Sequence, residues 1–416
     1  MNREFHQIAV IGGGAGGMAA AIAAFDSGCR DIVLLETDRR LGGVLPQCIH
    51  AGFGLHTFHE ELTGPEYAAR LASQVTERKI DVRLNAAVTG LTQDRVISVM
   101  EQGRGVYEIE AGAVVLAVGC RERPAGALTF DGPRPAGIMT AGTAQRYINL
   151  EGCMVGRRAV ILGSGDIGLI MARRLTLEGA EVVCVCELMP WSNGLQRNVV
   201  QCLEDFNIPL YLSTTVIGVE GKERLTGVWV APVDANRRPI RTEKRFIPCD
   251  TLLLSVGLLP ETTLADEAGI PLGSNGGIAV DETRRTGADG IFACGNVVQV
   301  HDLVDYVAEE GTLAGAAAAK WVAEHPEKTG SCRTVLPGNQ VSYVVPERIS
   351  GDAANAELFF RVKSVTRKCA VVISCGDQTA ARVRRSVMVP GEMQRVKLDL
   401  RDLPADAVLT VAVEAE

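Results

Sequence analysis

Twelve cysteines occur in 416 residues, yet there is no Cys-x-x-Cys, and no four have the spacing of a zinc or iron–sulfur site. No resident metal is expected. A chain of this length, with no signal peptide at its start, does not read as a small secreted disulfide scaffold. The cysteines read as reduced thiols, and the expected location is cytoplasmic. Aromatic residues are scarce, at 5%, and no extended basic run interrupts a chain of net charge −8. That excludes a nucleic-acid surface. No transmembrane segment is expected either. Gln7–Phe25 is uncharged over nineteen residues, but its five glycines argue against a span. What remains is 47% hydrophobic, with 45 glycines among Ala, Val, Ile and Leu. This is material for buried parallel sheets and tight turns in two or three domains, and it excludes disorder.

Residues 7–11 form a short apolar run that predicts a buried strand. Gly12-Gly-Gly-Ala-Gly-Gly17 follows, then an Ala-rich helix to about Asp26, then a strand over 32–35 that ends in Glu36. This is Gly-x-Gly-x-x-Gly between strand and helix, with an acid 24 residues after the first glycine. Gly12 permits the tight turn, Gly14 lets the backbone approach a pyrophosphate, and Gly17 lets the helix pack on the strand. Glu36 would accept hydrogen bonds from a ribose diol. The pattern recurs as a strand over 159–162, Gly163-Ser-Gly165-Asp-Ile-Gly168, a helix to about Glu178, and a strand from Glu181 to Cys186 ending in Glu187. Glu187 would repel a 2′-phosphate, and the next arginine is Arg197. NADH is therefore expected over NADPH.

Three further apolar runs end in glycine: 113–119 at Gly119, 250–257 at Gly257, and 290–295 at Gly295. A helical stretch from about Asp302 to Glu324 follows the last. In this order the segments resemble the two-dinucleotide flavoproteins of the pyridine nucleotide–disulfide oxidoreductase superfamily, over residues 5 to about 325. A closer likeness lies in Leu41-Gly-Gly43-Val-Leu-Pro-Gln-Cys48-Ile-His50, Gly119-Cys-Arg-Glu-Arg-Pro124 and His301-Asp-Leu-Val-Asp305. These resemble the FAD/NAD-binding oxidoreductases found beside anaerobic glycerol-3-phosphate dehydrogenase-like proteins. They are more distantly similar to the larger subunit of sarcosine oxidase and a hydrogen cyanide synthase subunit.

The resemblance implies an α/β fold of two Rossmann-like dinucleotide-binding domains, one inserted in the other. FAD would occupy residues 1–118 and 250–328, and NAD(H) the inserted 119–249. It further implies that Gly43, Gly295 and Asn296 lie along the FAD, with Asn296 replacing the family's usual Asp. From Arg333 the pattern changes to short β runs separated by turn residues, as in an all-β sandwich. This C-terminal domain, residues 334–416, has twelve basic against ten acidic residues after position 330, where the body has thirty against forty. It reads as a docking module.

Disulfide reductases of the superfamily need two cysteines near the flavin. Only Cys48 stands in the first such region, 36 residues after Gly12. Cys184 and Cys186 lie on a strand and are expected to point to opposite faces. His50, His56 and His59 sit in a Gly-rich loop, and His301 precedes a helix near the flavin. Histidine can shuttle protons near neutral pH, so His50 and His301 join Cys48 as catalytic candidates. The leading expectation is a flavoprotein subunit moving electrons between NAD(H) and a partner redox protein. That partner would be a dehydrogenase, a small cysteine-rich subunit, or both, in a hetero-oligomer. The alternatives are a self-contained NADH oxidase, peroxidase or coenzyme A-disulfide reductase-like enzyme using Cys48, and a non-catalytic scaffold. Two intact glycine loops speak against the scaffold.

Overall fold

The computed structural model describes residues 3–325 and 330–415. The expected domain limits at residues 1, 328 and 416 lie outside the described residues. Two compact units form. One combines the chain up to Cys120 with the chain from Pro260 onward, and the other is Arg121–Leu259. Each contains a parallel sheet.

In the first unit, Arg3–Ile11 lies between Ile32–Leu35 and Gly105–Leu116, parallel to both, with Ile8 opposite Ile32 and Ala113. Asp81–Arg83 and Ile291–Ala293 extend the parallel part. Val96–Glu101 and Ala86–Leu91 continue it antiparallel. Residues 8–11, 32–35 and 113–116 of the central strands are unbroken apolar runs, because alternate residues enter two different cores on the two faces of the sheet. Helix Ala15–Asp26 packs on the long helix Val304–Glu324 at small residues. A Cβ on Gly311 would lie 2.1 Å from the Gly16 carbonyl oxygen, and one on Gly315 would lie 2.0 Å from that of Ala20. Both pairs are four residues apart, so they stack on one face of each helix.

The second unit has an all-parallel sheet ordered Ile138–Thr140, Thr251–Leu254, Arg158–Leu162, Glu181–Cys186, Leu210–Tyr211. Three antiparallel strands, Thr214–Gly221, Leu225–Pro232 and Arg245–Pro248, accompany it. Cys184 and Cys186 correct the expectation made for them. Residues two apart on a strand share a face, and their sulfurs lie 3.9 Å apart, both fully buried.

The C-terminal strands form one five-stranded and one three-stranded sheet. A shared core of Val335, Leu358, Phe360, Val371 and Leu409 draws on both. Cys332–Pro337 and Arg348–Ser350 are strands that the pattern did not announce, since neither is an apolar run. Although these sheets have their own core, they belong to the first unit. Among the described residues, no helix is long and apolar enough to cross a membrane.

Candidate functional site

The first glycine loop is built as its spacing requires. Gly12 adopts φ +105°, and a Cβ there would lie 2.4 Å from the Ala117 carbonyl oxygen. A Cβ on Gly17 would lie 1.8 Å from the carbonyl oxygen of Gly12. Gly14, by contrast, faces open space, with only Gly43 Cα at 3.9 Å from such a Cβ. That opening is what a pyrophosphate needs, and no side chain caps the N-terminus of helix Ala15–Asp26. Glu36 is 6% exposed. One of its oxygens accepts from the Gly13 amide at 2.8 Å and the other from the Asp38 amide at 2.7 Å. Each oxygen retains a lone pair for a ribose hydroxyl.

The second loop repeats the construction. Glu187 accepts from the Ser164 amide at 2.9 Å, the Ser164 hydroxyl at 2.6 Å and the Met189 amide at 2.8 Å. Gly163 turns at φ +94°, and Gly165 and Gly168 approach Ser255. Gly257, at φ +99°, has open space where a Cβ would stand. Arg197 is exposed. In the loop after Glu187, the buried indole N–H of Trp191 has no acceptor among the described residues, so it can serve a bound nucleotide.

In the first unit, Gly119 at φ +75° likewise faces open space. Gly295 and Asn296 begin a buried polar cluster. The Asn296 side-chain oxygen accepts from the His301 amide at 3.0 Å, and its nitrogen donates to Cys120 Sγ at 3.5 Å. The neutral amide thus uses both its atoms, which a carboxylate could not. The Gly295 amide donates to Glu310 at 2.9 Å, and Gln299 donates to the same carboxylate at 3.1 Å. Arg284 Nη2 lies 3.1 Å and His301 Nε2 3.2 Å from it. All three ionisable side chains are at most 2% exposed. Burial alone would push the Glu310 carboxyl up. The Arg284 guanidinium, then His301 and the Gly295 amide, hold it down at about 2. His301 Nδ1 and the Gln299 carbonyl oxygen are buried without partners among the described residues, leaving polar atoms for a bound cofactor. Arg284, Gln299 and Glu310 belong to no motif in the sequence.

The histidine loop is tied to the same helix start. Gly54 and Thr57 amides donate to the Asp305 carboxylate at 3.2 and 2.9 Å. His56 stacks on Tyr306 at 5.7 Å, and His50 packs against Phe53 at 5.0 Å. His59 takes up a positive φ of 54°. Cys48 Sγ lies 3.5 Å from the Val44 carbonyl oxygen. Burial pushes its thiol up to about 12, the opposite of what a reactive thiolate requires. Replacing Cys48 with Ser should therefore leave the NADH turnover rate within about twofold of wild type, since the thiolate fraction at pH 7 is negligible. Steady-state assay checks this, and loss of turnover would restore a cysteine mechanism.

The chain is similar to several known proteins. One of the opine oxidase subunits of Agrobacterium tumefaciens is 28% identical over 76% of this chain and 63% of its own length. The hydrogen cyanide synthase subunit HcnB of Pseudomonas protegens is 27% identical over 63% of this chain and 58% of its own. The chain thus spans about six-tenths of the length of these curated relatives. Thioredoxin reductase of T. acidophilum shares the fold, with a TM-score of 0.62 at 22% identity over 76% of this chain and 98% of that one. Residues 6–320 match the model of the pyridine nucleotide-disulphide oxidoreductases. The chain belongs to that family and is a flavin-dependent oxidoreductase that binds FAD and a pyridine nucleotide.

Proposed function

We propose that the chain is the flavoprotein subunit of a heteromeric, cytoplasmic NAD(H) oxidoreductase, exchanging electrons with a partner redox protein. The observation that carries this reading is the pair of complete glycine–acid loops beside cysteines unsuited to exchange. Cys48 is held protonated by burial, and Cys184 and Cys186 have no exposed surface. Two of the similar proteins are named as subunits, which supports a partner. That partner would be a dehydrogenase, a small cysteine-rich protein, or both.

In this reading Gly12, Gly14, Gly17, Glu36, Gly43, Gly119, Gly295 and Asn296 hold FAD. Gly163, Gly165, Gly168, Glu187 and Gly257 hold NAD(H), Gly119 and Gly257 being assigned by the units they fall in rather than by the expected limits at 118/119 and 249/250. Bound FAD supplies a two-electron acceptor for hydride and a donor to the partner. The loop amides receive pyrophosphates, and Glu36 and Glu187 accept ribose hydroxyls. His301 lies behind Asn296 and orients it through its backbone amide, while His50 lines the Gly-rich loop.

The test is anaerobic titration with each nucleotide while the flavin absorbance bleaches. NADH should reduce the protein more efficiently than NADPH by on the order of tenfold or more, equivalent to about 1.4 kcal/mol of discrimination, because the carboxylate of Glu187 repels a 2′-phosphate. Replacing Glu187 with Ala should narrow that gap. A protein that takes up no FAD, or bleaches equally with both nucleotides, would refute the respective part. Co-purification of a second redox protein with the native chain tests the partner.

A further inference from the structure

The strand Asn355–Val362 has apolar residues on both faces. Ala356, Leu358, Phe360 and Val362 enter the core between the two C-terminal sheets. Phe359 points the other way, as alternation requires, yet is only 2% exposed. Its cover is the turn that opens the long helix Val304–Glu324. The Phe359 ring meets that of His301 edge-on at 5.8 Å, and the Arg284 guanidinium lies 5.8 Å from the same ring. Arg361, on the same face, donates to the Val300 carbonyl at 3.1 Å and pairs with the Asp302 carboxylate. Its other terminal nitrogen donates to the Gly391 carbonyl at 2.6 Å. The Met393 amide donates to Asp302 at 2.5 Å, and Arg395 bridges Glu357 to Glu309 of the helix, the latter at 2.7 Å.

We propose that Arg361 and Phe359 are positioning residues for the cofactor of the first unit. The inference rests on the reading that FAD lies along Gly12–Gly17 and Gly295–Asn296. A short chain of contacts connects them. Arg361 fixes Val300 and Asp302, which bracket His301. The His301 amide holds Asn296 by the 3.0 Å bond, and Asn296 adjoins Gly295. Phe359 packs edge-on against the His301 ring and sets its plane, and the ring's Nδ1 has no hydrogen-bond partner among the described residues. The C-terminal sheets are thus a wall of the FAD site rather than a removable appendage.

The test uses the full-length chain with three readouts: the FAD dissociation constant from flavin fluorescence quenching, the midpoint potential of bound flavin, and the melting temperature of the stripped protein. Arg361→Ala and Asp302→Asn should each weaken FAD binding at least tenfold and shift the potential. The double variant should lose less than the sum of the two singles, because the Arg361–Asp302 contact is lost in both while the bonds of Arg361 to Val300 and Gly391 are lost only with Arg361. Arg361→Lys should recover part of the affinity. Phe359→Leu should move both readouts in the same direction by less, and it keeps the proposal testable where Arg361→Ala folds poorly. Arg382→Ala, in the edge strand Gln378–Met388 and paired with Glu414, should change neither. Arg361→Ala with wild-type affinity and potential would overturn the proposal, as would strictly additive losses or a lowered melting temperature with unchanged FAD binding. A wild-type chain that binds no FAD would overturn the site reading and this inference together.

Discussion

Replacing Glu310 with Gln should destabilise the first unit by about 3–5 kcal/mol, the range for breaking a buried ion pair on one side. The carboxylate is 1% exposed and meets the Arg284 guanidinium, His301, Gln299 and the Gly295 amide together. Gln keeps the volume but not the charge. Arg284, 2% exposed, would then rely on the Asp281 carbonyl at 3.4 Å, which cannot offset the loss of a counter-ion. Desolvated charge without a partner is what makes the cost large. Glu309, the adjacent acid, pairs with Arg395 at the surface, so Glu309→Gln should cost no more than about 1 kcal/mol.

The same residue gives a pH signature. The folded carboxyl is held at about 2, against about 4.3 for an unfolded Glu. Its contribution is present above about pH 4.3 and is lost as pH falls toward 2. A shift of that size is worth about 3 kcal/mol. Urea unfolding of the wild type should therefore show stability falling over that window. Glu310→Gln should start lower and fall less steeply. Parallel pH curves for the two proteins would remove Glu310 from the account.

The two glycine loops and their acids are legible in the sequence because everything that defines them is local. A strand, a turn, a helix and the next strand fix the spacing of 24 residues from Gly12 to Glu36 and from Gly163 to Glu187. Strand Ile32–Leu35 coincides with its apolar run, and Glu181–Cys186 begins one residue ahead of its own. Glu310 is not legible. Written beside Glu309, it reads as half of a solvated acidic pair, and only the helix phase separates the buried acid from the exposed one. Its partner Arg284 lies 26 residues away in a loop with no motif. Phe359 falls within a legible β run, but local alternation cannot say that the outer face of a strand is covered by another part of the chain. The tail therefore reads as a docking module from sequence, whereas its inner strand packs on the helix start beside Asn296. Cys184 and Cys186 are a different failure. Their spacing already places them on one face.

Gly17→Ala and Gly168→Ala should separate the two cofactor functions. At Gly17 the added Cβ falls 1.8 Å from the Gly12 carbonyl oxygen, with Ala117 Cβ at 3.4 Å behind it. Gly12 cannot retreat, because its amide donates to the Leu35 carbonyl at 2.8 Å and it already crowds Ala117. The helix must lift off the strand, moving its N-terminal amides away from the pyrophosphate. Overpacking of this kind costs about 1–3 kcal/mol or more, which is on the order of tenfold to a hundredfold in FAD affinity. The purified variant should be pale. At Gly168 the Cβ would sit 2.7 Å from Ser255 Cβ and 3.0 Å from the Gly163 carbonyl oxygen, a milder clash in the other unit. That variant should stay yellow, with full FAD content, while the NADH concentration needed for half-maximal bleaching rises about tenfold. Dithionite should still reduce it fully. If both variants lose FAD alike, or if Gly17→Ala remains saturated with flavin, the assignment of FAD to the first loop and NAD(H) to the second is wrong.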